Sequence, residues 1–479
     1  MTDRPILVLF YRDLRIDDQP ALAKAAETGA PVVPLFVYDT ETTGDWAPGG
    51  AKKWWLHHSL AALGDDLKKL GAPLVLRAGD TVDVVPALAG EIDAQAVYIC
   101  RGYEPFVRER ETALKSALDK IDVELKRMAG RLLIDPDIVR TKTGDVYKVY
   151  TPFWRAVSAS GIRTPVDAPK SLKPFAKKVA SDKLSDWKLL PTKPNWAKGF
   201  DEHWAPGSEG GREKLEAFLD DALADYDESR NRPDLPGTSR LSPHFHHGEL
   251  SPARVWHTVL PRLESKTTET GAETFLKELV WREFSYHLLY HFPHLPEAPF
   301  RDQFAAFPWR SDDSALEAWQ RGQTGYPIVD AGMRELWQTG WMHNRVRMIV
   351  GSFLTKNLLL HWQEGEAWFW DCLVDADLAS NSASWQWVSG SGADAAPYFR
   401  IFNPVSQSER YDPDGDYIRR WVPELAKLPT KALHAPWDAS DKDLSAAGVE
   451  LGKTYPKPLV DHKATRQRAL DAYETIKKK

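Results

Sequence analysis

Two segments of the sequence bring together side chains that could bind and polarise a ligand. One face of a predicted helix carries Glu278, Trp281, Arg282 and Ser285. In a second helical segment, one face carries Trp341, Asn344, Arg345 and Met348 at the same spacing. A carboxyl, an amide, guanidinium groups and indoles side by side suit a pocket that stacks a base and grips a nucleic-acid backbone. A packed helical core with surface ion pairs explains the aromatic residues about as well.

A third segment runs from Asp375 to Trp387 and contains two carboxylates, an amide and two indoles. Asn381 and Trp385 are four residues apart and share a helix face, whereas Trp387 points to roughly the opposite side. A core helix does not tolerate this polarity without hydrogen-bond partners, so we expect a bound polar cofactor to supply them.

Aromatic residues and arginine are concentrated in this half of the chain. The sequence has 20 Trp, and ten of them lie between Trp281 and Trp387. From Trp281 to Val350 there are seven Arg, no Lys and eight acidic residues. Every cation there is therefore a planar guanidinium, which can bind a phosphate through two parallel hydrogen bonds.

The composition of the 479 residues excludes several classes of protein. The net charge is −6, so a polyanionic partner must be met locally. Only Cys100 and Cys372 are present, which excludes a disulfide framework, a four-thiolate zinc site and a cysteine-ligated iron–sulfur cluster. We expect no metal, since His287 and His291 are better interpreted as structural. Because no signal peptide or membrane span is evident, we expect a cytoplasmic protein.

The elements that must position these segments differ between the two halves of the chain. Short apolar runs at Ile6 to Phe10, Val32 to Tyr38, Leu74 to Leu76, Ala96 to Ile99 and Val123 to Leu125 alternate with helical patterns such as Lys52 to Leu70. This alternation predicts a doubly wound parallel sheet, an α/β domain over residues 1–130.

A connector and a second, all-helical domain are expected to follow the sheet. Residues 161–210 contain six Pro and eight Lys with little apolar periodicity, so we place an extended connector over residues 131–210. From residue 211 to 479 the strand signals fade, and helical spacing runs through Glu273 to Tyr290, Leu316 to Trp341 and Asn344 to Trp362.

Long ordered motifs make the chain resemble the DNA photolyase and cryptochrome flavoproteins, most closely the cyclobutane-dimer photolyases. The resemblance extends from the Phe10 to Arg15 opening to the segment Pro397 to Pro404. Its strongest parts are Gly237 to Pro243, Glu278 to Phe284, Gly325 to Asp330, Trp341 to Arg345 and Trp385 to Val388. The family's architecture, an amino-terminal antenna domain joined by a long connector to a helical FAD-binding domain, agrees with the organisation predicted above.

The resemblance implies that FAD is bound in a folded shape. Its contacts would come from Tyr226, from the turn Thr238, Ser239, Arg240, Leu241 and Ser242, and from Asp375, Ala376, Asp377 and Asn381. Hydroxyls and backbone amides in such a turn suit a pyrophosphate. The family places the Asn381 position opposite flavin N5, and an amide there delivers a proton less readily than an acid does. This residue therefore favours repair over signalling.

The substrate implied is a pyrimidine dimer flipped out of damaged DNA. By resemblance, Glu278 and Asn344 would hydrogen-bond the dimer and stabilise the radical anion, and Trp281 and Trp387 would stack against it. Strand and phosphate contacts would come from Arg230, Arg282, Arg345, Met348, Arg400 and Gln407. Enzymes of the (6-4) type carry His where this chain has Asn344 and Met348, which favours a cyclobutane dimer.

Trp385, Trp362 and Trp309 match the family's tryptophan relay, which reduces the flavin again by hole transfer to the surface. Trp319, Trp337, Trp368 and Trp370 are further indoles that could form a second route, although core packing explains each of them better.

The antenna pigment is the least certain part of the prediction. Glu109 matches a carboxylate that binds folate in some members, although the neighbouring amide of that pattern is Arg108 here. The resemblance favours methenyltetrahydrofolate, with a deazaflavin or no antenna as alternatives. We expect a monomer that repairs dimers, and a cryptochrome-like light sensor as the alternative.

Overall fold

The structure of the protein, a computed structural model, describes residues 4–394 and 399–477. Pro397 and Tyr398 of the predicted motif lie outside the described residues. The amino-terminal part contains a parallel sheet, and the carboxyl-terminal part is helical. This arrangement confirms the predicted fold class.

Five parallel strands form the sheet, in the order β3-β2-β1-β4-β5. The strands are β1 (Ile6–Phe10), β2 (Val32–Tyr38), β3 (Val75–Ala78), β4 (Ala96–Cys100) and β5 (Glu124–Met128). All residues of β1 and β4 are buried, which explains why these strands are continuous apolar runs. Successive residues of β1 alternate between two cores: Ile6, Val8 and Phe10 pack on one face, and Leu7 and Leu9 on the other.

Helices cover both faces of the sheet and form the rest of the molecule. They are α1 (Pro20–Glu27), α2 (Gly50–Lys69), α3 (Thr81–Glu91), α4 (Pro105–Asp119), α5 (Tyr150–Ala159), α6 (Ser208–Asp221), α7 (Tyr226–Ser229), α8 (Ser242–His247), α9 (Pro252–Val259), α10 (Glu269–His291), α11 (Asp313–Gln320), α12 (Pro327–Thr339), α13 (Asn344–Ser352), α14 (Trp362–Cys372), α15 (Leu378–Ser389), α16 (Pro404–Tyr411), α17 (Asp416–Trp421), α18 (Thr430–Leu433), α19 (Asp441–Ala447) and α20 (His462–Lys477).

Two of the long predicted helices were wrong in extent. The segment Leu316 to Trp341 is divided between α11 and α12, because Gly322 and Gly325 adopt positive φ angles of 62° and 77° and Pro327 starts the next helix. The second predicted helix, Asn344 to Trp362, is also shorter: α13 ends at Ser352, and the chain continues as a π-helical turn, Phe353–Leu358. Leu359 ends that turn with a φ of 60°.

The segment predicted as a connector is mostly irregular, but it includes α5. Tyr150, Phe153 and Val157 of α5 pack in the same hydrophobic core as α10. Further along, Val32 of β2 forms an isolated bridge with Pro174. This segment therefore contacts both parts of the molecule.

Helix α2 packs tightly against the helical part. A hydrophobic cluster that we call the aromatic seam joins the two parts through Trp54, Trp55, Phe200, Trp204 and Trp341. Trp55 is fully buried, and its Nε1 donates a hydrogen bond of 2.9 Å to Oε1 of Glu249. At the start of α2, a Cβ on Gly49 would lie 2.5 Å from the Cα of Asp371, so the backbones touch there.

Candidate functional site

A half-exposed carboxylate and an indole lie one turn apart on α10. Nη1 of Arg230 is 2.6 Å from Oε1 of Glu278, and these side chains are 23% and 28% exposed. Burial raises the pKa of Glu278, and the charge of Arg230 acts in the opposite direction. The ring of Trp281 stacks on Tyr150 of α5, with centroids 3.6 Å apart. One face of the indole is therefore covered, and we call this group the carboxylate–indole site.

Arg282 does not join this site, which corrects the sequence prediction. Its Nη1 is 2.7 Å from Oε1 of Glu283, and its Nη2 donates a hydrogen bond of 3.2 Å to the carbonyl of Arg131. Arg230, which precedes the predicted helices in the chain, is the guanidinium that accompanies Glu278. The spacing within α10 did not predict which guanidinium accompanies Glu278, because the side chain of Arg282 extends towards the connector instead.

Helix α13 carries Arg345 and Met348 on one face. The guanidinium of Arg345 lies 4.4 Å from the ring centroid of Tyr411, donates a hydrogen bond to Oδ1 of Asn231, and is 3.6 Å from the sulfur of Met348. Asn344 is exposed at the start of α13. The prediction that Trp341 shares this helix was wrong, because the helix begins at Asn344.

Trp387, on the partly exposed side of α15, lines a small cavity together with Arg400. Gln407 is half-buried on α16.

Burial lowers the pKa of Arg345, and the charges of Arg230, Arg410 and Arg400 lower it further. The positive charges are therefore close enough to repel one another, which is the arrangement that attracts a polyanion.

A polar cradle lies around Ser242, at the start of α8. The hydroxyl of Ser242 donates a hydrogen bond of 2.6 Å to Oδ2 of Asp375, and Nη2 of Arg347 is 2.8 Å from the same oxygen. Nε1 of Trp341 donates to the Ser242 hydroxyl over 3.3 Å. These residues fix a hydroxyl, a carboxylate and a guanidinium at one point, and we call them the polar cradle.

The turn before α8 is shaped by Arg240, whose φ is 52°. Its guanidinium lies 4.7 Å from the ring centroids of both Trp204 and Trp341. Thr238 and Ser239 are half-buried, whereas Leu241 and Tyr226 are buried.

Asp377 and Asn381 anchor the start of α15. Asp377 accepts a hydrogen bond of 2.9 Å from the backbone N–H of Ser380 and another from the hydroxyl of Tyr286. Burial would raise the pKa of Asp377, but the nearby imidazole of His246, with Nδ1 3.7 Å from Oδ2, and the charge of Arg12 hold it well below its usual range. Nδ2 of Asn381 donates to the carbonyl of Glu366 over 3.0 Å, so its amide oxygen faces away from α14. Ala376, between the two carboxylates, is buried.

The donors and acceptors of these residues fit a flavin dinucleotide. Hydroxyls and backbone amides of the turn from Thr238 to Ser242 suit phosphate oxygens, and paired charges at Arg347 and Asp375 suit a ring with both donors and acceptors. The amide of Asn381 presents an uncharged acceptor. That these residues bind the cofactor stays a prediction.

The predicted relay indoles lie in two groups. Trp385 is 3% exposed and contacts Phe369 and Trp319, with centroids 5.0 and 6.2 Å away. Trp362 and the half-buried Trp309 both contact the ring of His361, at 5.6 and 5.1 Å.

The additional indoles have different surroundings. Trp319 is fully buried, whereas Trp337, which is 52% exposed, stacks on Trp368 at 6.0 Å. Trp370 donates to the carbonyl of Ala47 over 2.8 Å, and the amine of Lys52 lies over its ring.

Glu109 is exposed on α4. The neighbouring Arg108 donates a hydrogen bond of 3.0 Å from Nη1 to the carbonyl of Tyr290, and its guanidinium stacks on that ring. Where the strand order reverses between β1 and β4, a usual position for a second ligand, Tyr11 lies beneath the guanidinium groups of Arg12, Arg110 and Arg131.

Sequence reasoning missed three supporting residues. Tyr150 lies in the segment interpreted as a connector, and only the aromatic start of α5 could have indicated it. Arg347 belongs to the arginine-rich segment but falls off the face carrying Asn344 and Met348. Glu366 is 1% exposed on α14, and its carboxyl accepts a hydrogen bond from Ser382.

Burial raises the pKa of Glu366 to about 8, against the opposing hydrogen bond from Ser382. Between the pKa of the unfolded carboxyl, near 4.5, and about 8, the folded state keeps a proton that the unfolded state has lost. Stability therefore falls as pH rises through this range. In Glu366→Gln we expect the free energy of unfolding to fall less steeply, by up to about 1.4 kcal/mol per pH unit.

Urea unfolding at several pH values measures this difference. Glu364→Gln is the matched control, because Glu364 is exposed two residues away on the same helix. Other buried acids such as Glu283, whose pKa burial raises to about 7, contribute equally to all three proteins. Identical pH slopes for Glu366→Gln and the unchanged protein would show that Glu366 is ionised throughout.

Among residues 4–394 and 399–477, no group of three or more His, Cys, Asp or Glu side chains is arranged to hold a metal ion. Within that same part of the chain, no helix is both long and apolar enough to cross a membrane. His287 packs on the ring of Phe153, and His291 is 3.0 Å from the carbonyl of Pro136.

Comparison with known proteins assigns both parts of the chain. Residues 6–182 match the family model described as DNA photolyase, and residues 275–475 match that of the FAD binding domain of DNA photolyase. A deoxyribodipyrimidine photo-lyase of Agrobacterium fabrum is 53% identical, with 99% of this chain and 98% of the relative covered. Cryptochrome-1 of Arabidopsis thaliana is 37% identical over 97% of this chain and 70% of its own length.

Solved structures agree with these relatives. A bacterial class III photolyase from Agrobacterium tumefaciens superposes with a TM-score of 0.97 at 52% identity, covering 100% of this chain and 99% of that one. An archaeal photolyase from Sulfolobus tokodaii, whose structure is described with two FAD molecules, gives 0.84 at 28% identity over 98% of this chain and 100% of its own. The parallel-sheet domain and the match to a FAD binding domain define a flavoprotein. The chain belongs to the DNA photolyase family.

Proposed function

We propose that this protein is a deoxyribodipyrimidine photo-lyase, an enzyme that uses blue light to split cyclobutane pyrimidine dimers in DNA. The observation that carries the proposal is the carboxylate–indole site, where a partly exposed carboxyl lies beside a stacking surface and a guanidinium. A pyrimidine dimer flipped out of the helix needs this combination of stacking and hydrogen bonding. The high identity to a photo-lyase supports repair over the signalling role of cryptochromes.

FAD is the cofactor, and when bound in its reduced form it supplies the photoexcited electron that opens the dimer. The turn from Thr238 to Ser242 binds its phosphates with hydroxyl and amide donors, and Tyr226 packs beside them. Asp375, Ala376 and Asp377 line the ribose and the ring. Asn381 faces the ring nitrogen with an uncharged amide, which holds no proton to release.

Glu278 and Asn344 hydrogen-bond the dimer. Burial raises the pKa of Glu278 against the charge of Arg230, and a carboxyl that carries a proton there can donate a hydrogen bond to a dimer carbonyl. Such a donor, already in place, stabilises the charge that the dimer acquires when it accepts an electron. Positions 344 and 348 carry an amide and a thioether instead of imidazoles, which supports a cyclobutane dimer over a (6-4) product.

Trp281 and Trp387 stack against the flipped bases, and a group of cations positions the strand. Arg230, Arg345 and Arg400 contact phosphates, and Gln407 adds a polar contact. Such contacts give affinity with little sequence preference. Trp385, Trp362 and Trp309 carry electrons from the surface to reduce the flavin again.

The antenna pigment is methenyltetrahydrofolate, bound beside the exposed carboxylate of Glu109. The crevice at the end of β1 and β4 is occupied by Tyr11 and its three arginine neighbours, which disfavours a deazaflavin or second flavin there. An absorption spectrum of purified protein tests this, since a folate, a deazaflavin and a second flavin have different bands. Loss of the folate band in Glu109→Ala is expected.

We assign residues 1–130 to the antenna domain, 131–210 to the connector and 211–479 to the catalytic domain. The end of β5 at Met128 and the start of α6 at Ser208 support these limits, although α5 packs with the catalytic domain. The protein acts as a cytoplasmic monomer that associates with nucleoid DNA.

The decisive experiment is a repair assay. Purified protein with reduced FAD is mixed with an oligonucleotide that contains one thymine dimer, and intact thymines are measured after blue light. We expect repair in the light, none in the dark, and none on a (6-4) photoproduct. Intact dimers after illumination would leave light sensing as the function of this chain.

Tyr150→Ala should weaken lesion binding. The substitution removes the ring on which Trp281 stacks and lets the indole turn, so we expect roughly fivefold weaker binding of dimer-bearing DNA, in line with the energy of an aromatic pair. Tyr150→Phe keeps the ring and removes only the hydroxyl, which donates to the carbonyl of Lys277, so it is the matched control. Equal affinities for Tyr150→Ala and Tyr150→Phe would contradict the supporting role.

A further inference from the structure

Gly365 of α14 lies against the indole of Trp385. A Cβ on Gly365 would be 2.0 Å from Cη2 of Trp385 and 2.5 Å from both Cζ2 and Cζ3. Real Cβ atoms essentially never come within 3.0 Å of another heavy atom. Only glycine therefore fits at residue 365 while Trp385 keeps its place, and the six-membered ring of the indole rests directly on the backbone of α14.

The ring cannot easily retreat from Gly365, because neighbours surround it. Phe369 and Trp319 contact it edge-on, both at interplanar angles of 70°. From α13, a Cβ on Gly351 would lie 3.5 Å from Cζ3 of Trp385. A close-packed interior transmits a displacement rather than absorbing it, so an added methyl group must shift the indole as a whole.

The turn of α14 that contains Gly365 also lies next to Trp362 and binds Asn381 and Ser382 of α15. Trp362 starts the helix three residues before Gly365, so the two positions are neighbours on its surface. The carbonyl of Glu366 accepts the hydrogen bond from Asn381, and its carboxyl accepts that from Ser382. The contacts of Gly365 and Glu366 with α15 therefore fix the position of α15 relative to Trp362.

We propose that Gly365 is a positioning residue for the tryptophan relay: by lacking a side chain, it lets the ring of Trp385 rest on the backbone of α14, one turn after Trp362. This inference rests on the proposed relay. In the step concerned, one electron moves from Trp362 to Trp385 after Trp385 has lost one, so Trp385 is reduced and Trp362 oxidised. No bond or proton is transferred, and an external thiol replaces the electron through Trp309. Because electron transfer weakens steeply with distance, the gap that Gly365 closes governs the rate.

The test compares two light-driven reactions of the FAD-bound protein. In Gly365→Ala we expect photoreduction of the flavin by a thiol to slow about tenfold, equivalent to about 1.4 kcal/mol on the barrier. Dimer splitting by protein already reduced with dithionite should remain unchanged, because that reaction does not use the relay. Photoreduction at the normal rate would overturn the proposal, and so would an equal loss of both reactions, which indicates a displaced flavin.

Gly351→Ala is the milder control, because its Cβ would lie 3.5 Å from Cζ3 of Trp385, an ordinary contact, and 3.1 Å from Cγ1 of Val388, whose side chain need shift only slightly. It should leave photoreduction unchanged. Trp385→Phe separates the two proposals: normal photoreduction in that variant refutes the relay itself. Slow photoreduction in Trp385→Phe with a normal rate in Gly365→Ala refutes only the role of Gly365.

A second measurement does not depend on photochemistry. The urea midpoint of the FAD-bound protein is measured for the unchanged chain, Gly365→Ala, Trp385→Phe and the double variant. We expect Gly365→Ala to lower the midpoint clearly when Trp385 is present and much less when Trp385→Phe has removed the bulk of the ring. Equal shifts in the two backgrounds would show that the indole does not rest on Gly365, and would overturn the proposal.

Discussion

Trp385→Phe should slow photoreduction of the flavin by roughly 100-fold, which corresponds to about 2.7 kcal/mol on the barrier. The indole is buried on α15 and contacts Trp319 and Phe369, so a phenyl ring fits in its place with only partial loss of packing. Phenylalanine is far harder to oxidise than tryptophan and therefore interrupts electron supply. Repair by previously reduced protein should stay near normal, because the electron that opens the dimer returns to its donor.

Transient absorption under blue light measures the first reaction, and the oligonucleotide assay measures the second. Trp256→Phe is a suitable control, since Trp256 is equally buried on α9 and packs on Trp154. If Trp385→Phe lost photoreduction and repair together, the indole would be needed to hold the flavin and not to relay electrons. If photoreduction persisted, Trp319, which touches Trp385, would be the first residue to examine for a second route.

Glu278→Ala should lower the yield of dimer splitting per absorbed photon by about tenfold, as expected for losing a hydrogen bond to a group that becomes charged. FAD should remain bound, because the charged partner of Glu278 is Arg230, whereas Ser242, Asp375 and Arg347 of the polar cradle bind one another. The loss also leaves Arg230 without its partner, so non-specific binding to undamaged DNA should strengthen slightly.

The control is Glu273→Ala on the same helix, where the carboxylate forms an exposed ion pair of 2.8 Å with Lys277. It removes one negative charge from α10 at a distance from Trp281, and it should leave splitting unchanged. An unaltered quantum yield in Glu278→Ala would mean that the carboxyl does not contact the dimer. An equal reduction in both variants would assign the effect to the net charge of the helix.

Local sequence patterns predicted most of the sheet. β1 and β2 have the predicted bounds because strands buried on both faces must be continuous apolar runs, which turn residues then limit. Helix α2 was also close to its prediction, since its leucine stripe packs on the sheet. The errors in the helical part came from backbone geometry: Gly322 and Gly325 end a periodic pattern that the apolar residues alone would have continued.

The candidate site was only partly predictable, for a similar reason. Spacing within one helix brought Glu278 and Trp281 together correctly, but it could not show that Arg230 and Tyr150, from elsewhere in the chain, complete the site. The same spacing placed Arg282 in the site wrongly, because the partners of a long side chain depend on the tertiary fold. The roles assigned to the individual residues came from resemblance and stay predictions.

The aromatic seam has a consequence for light harvesting. Excitation energy passes between two pigments at a rate that depends on their separation and on the angle between their transition dipoles. Because Trp54 and Trp55 are locked between Phe200, Trp204 and Trp341, the sheet domain has little freedom to rotate against the flavin-bearing helices. Any pigment held by the sheet domain would keep a constant orientation towards the flavin, so its transfer efficiency would be a fixed property of the folded chain.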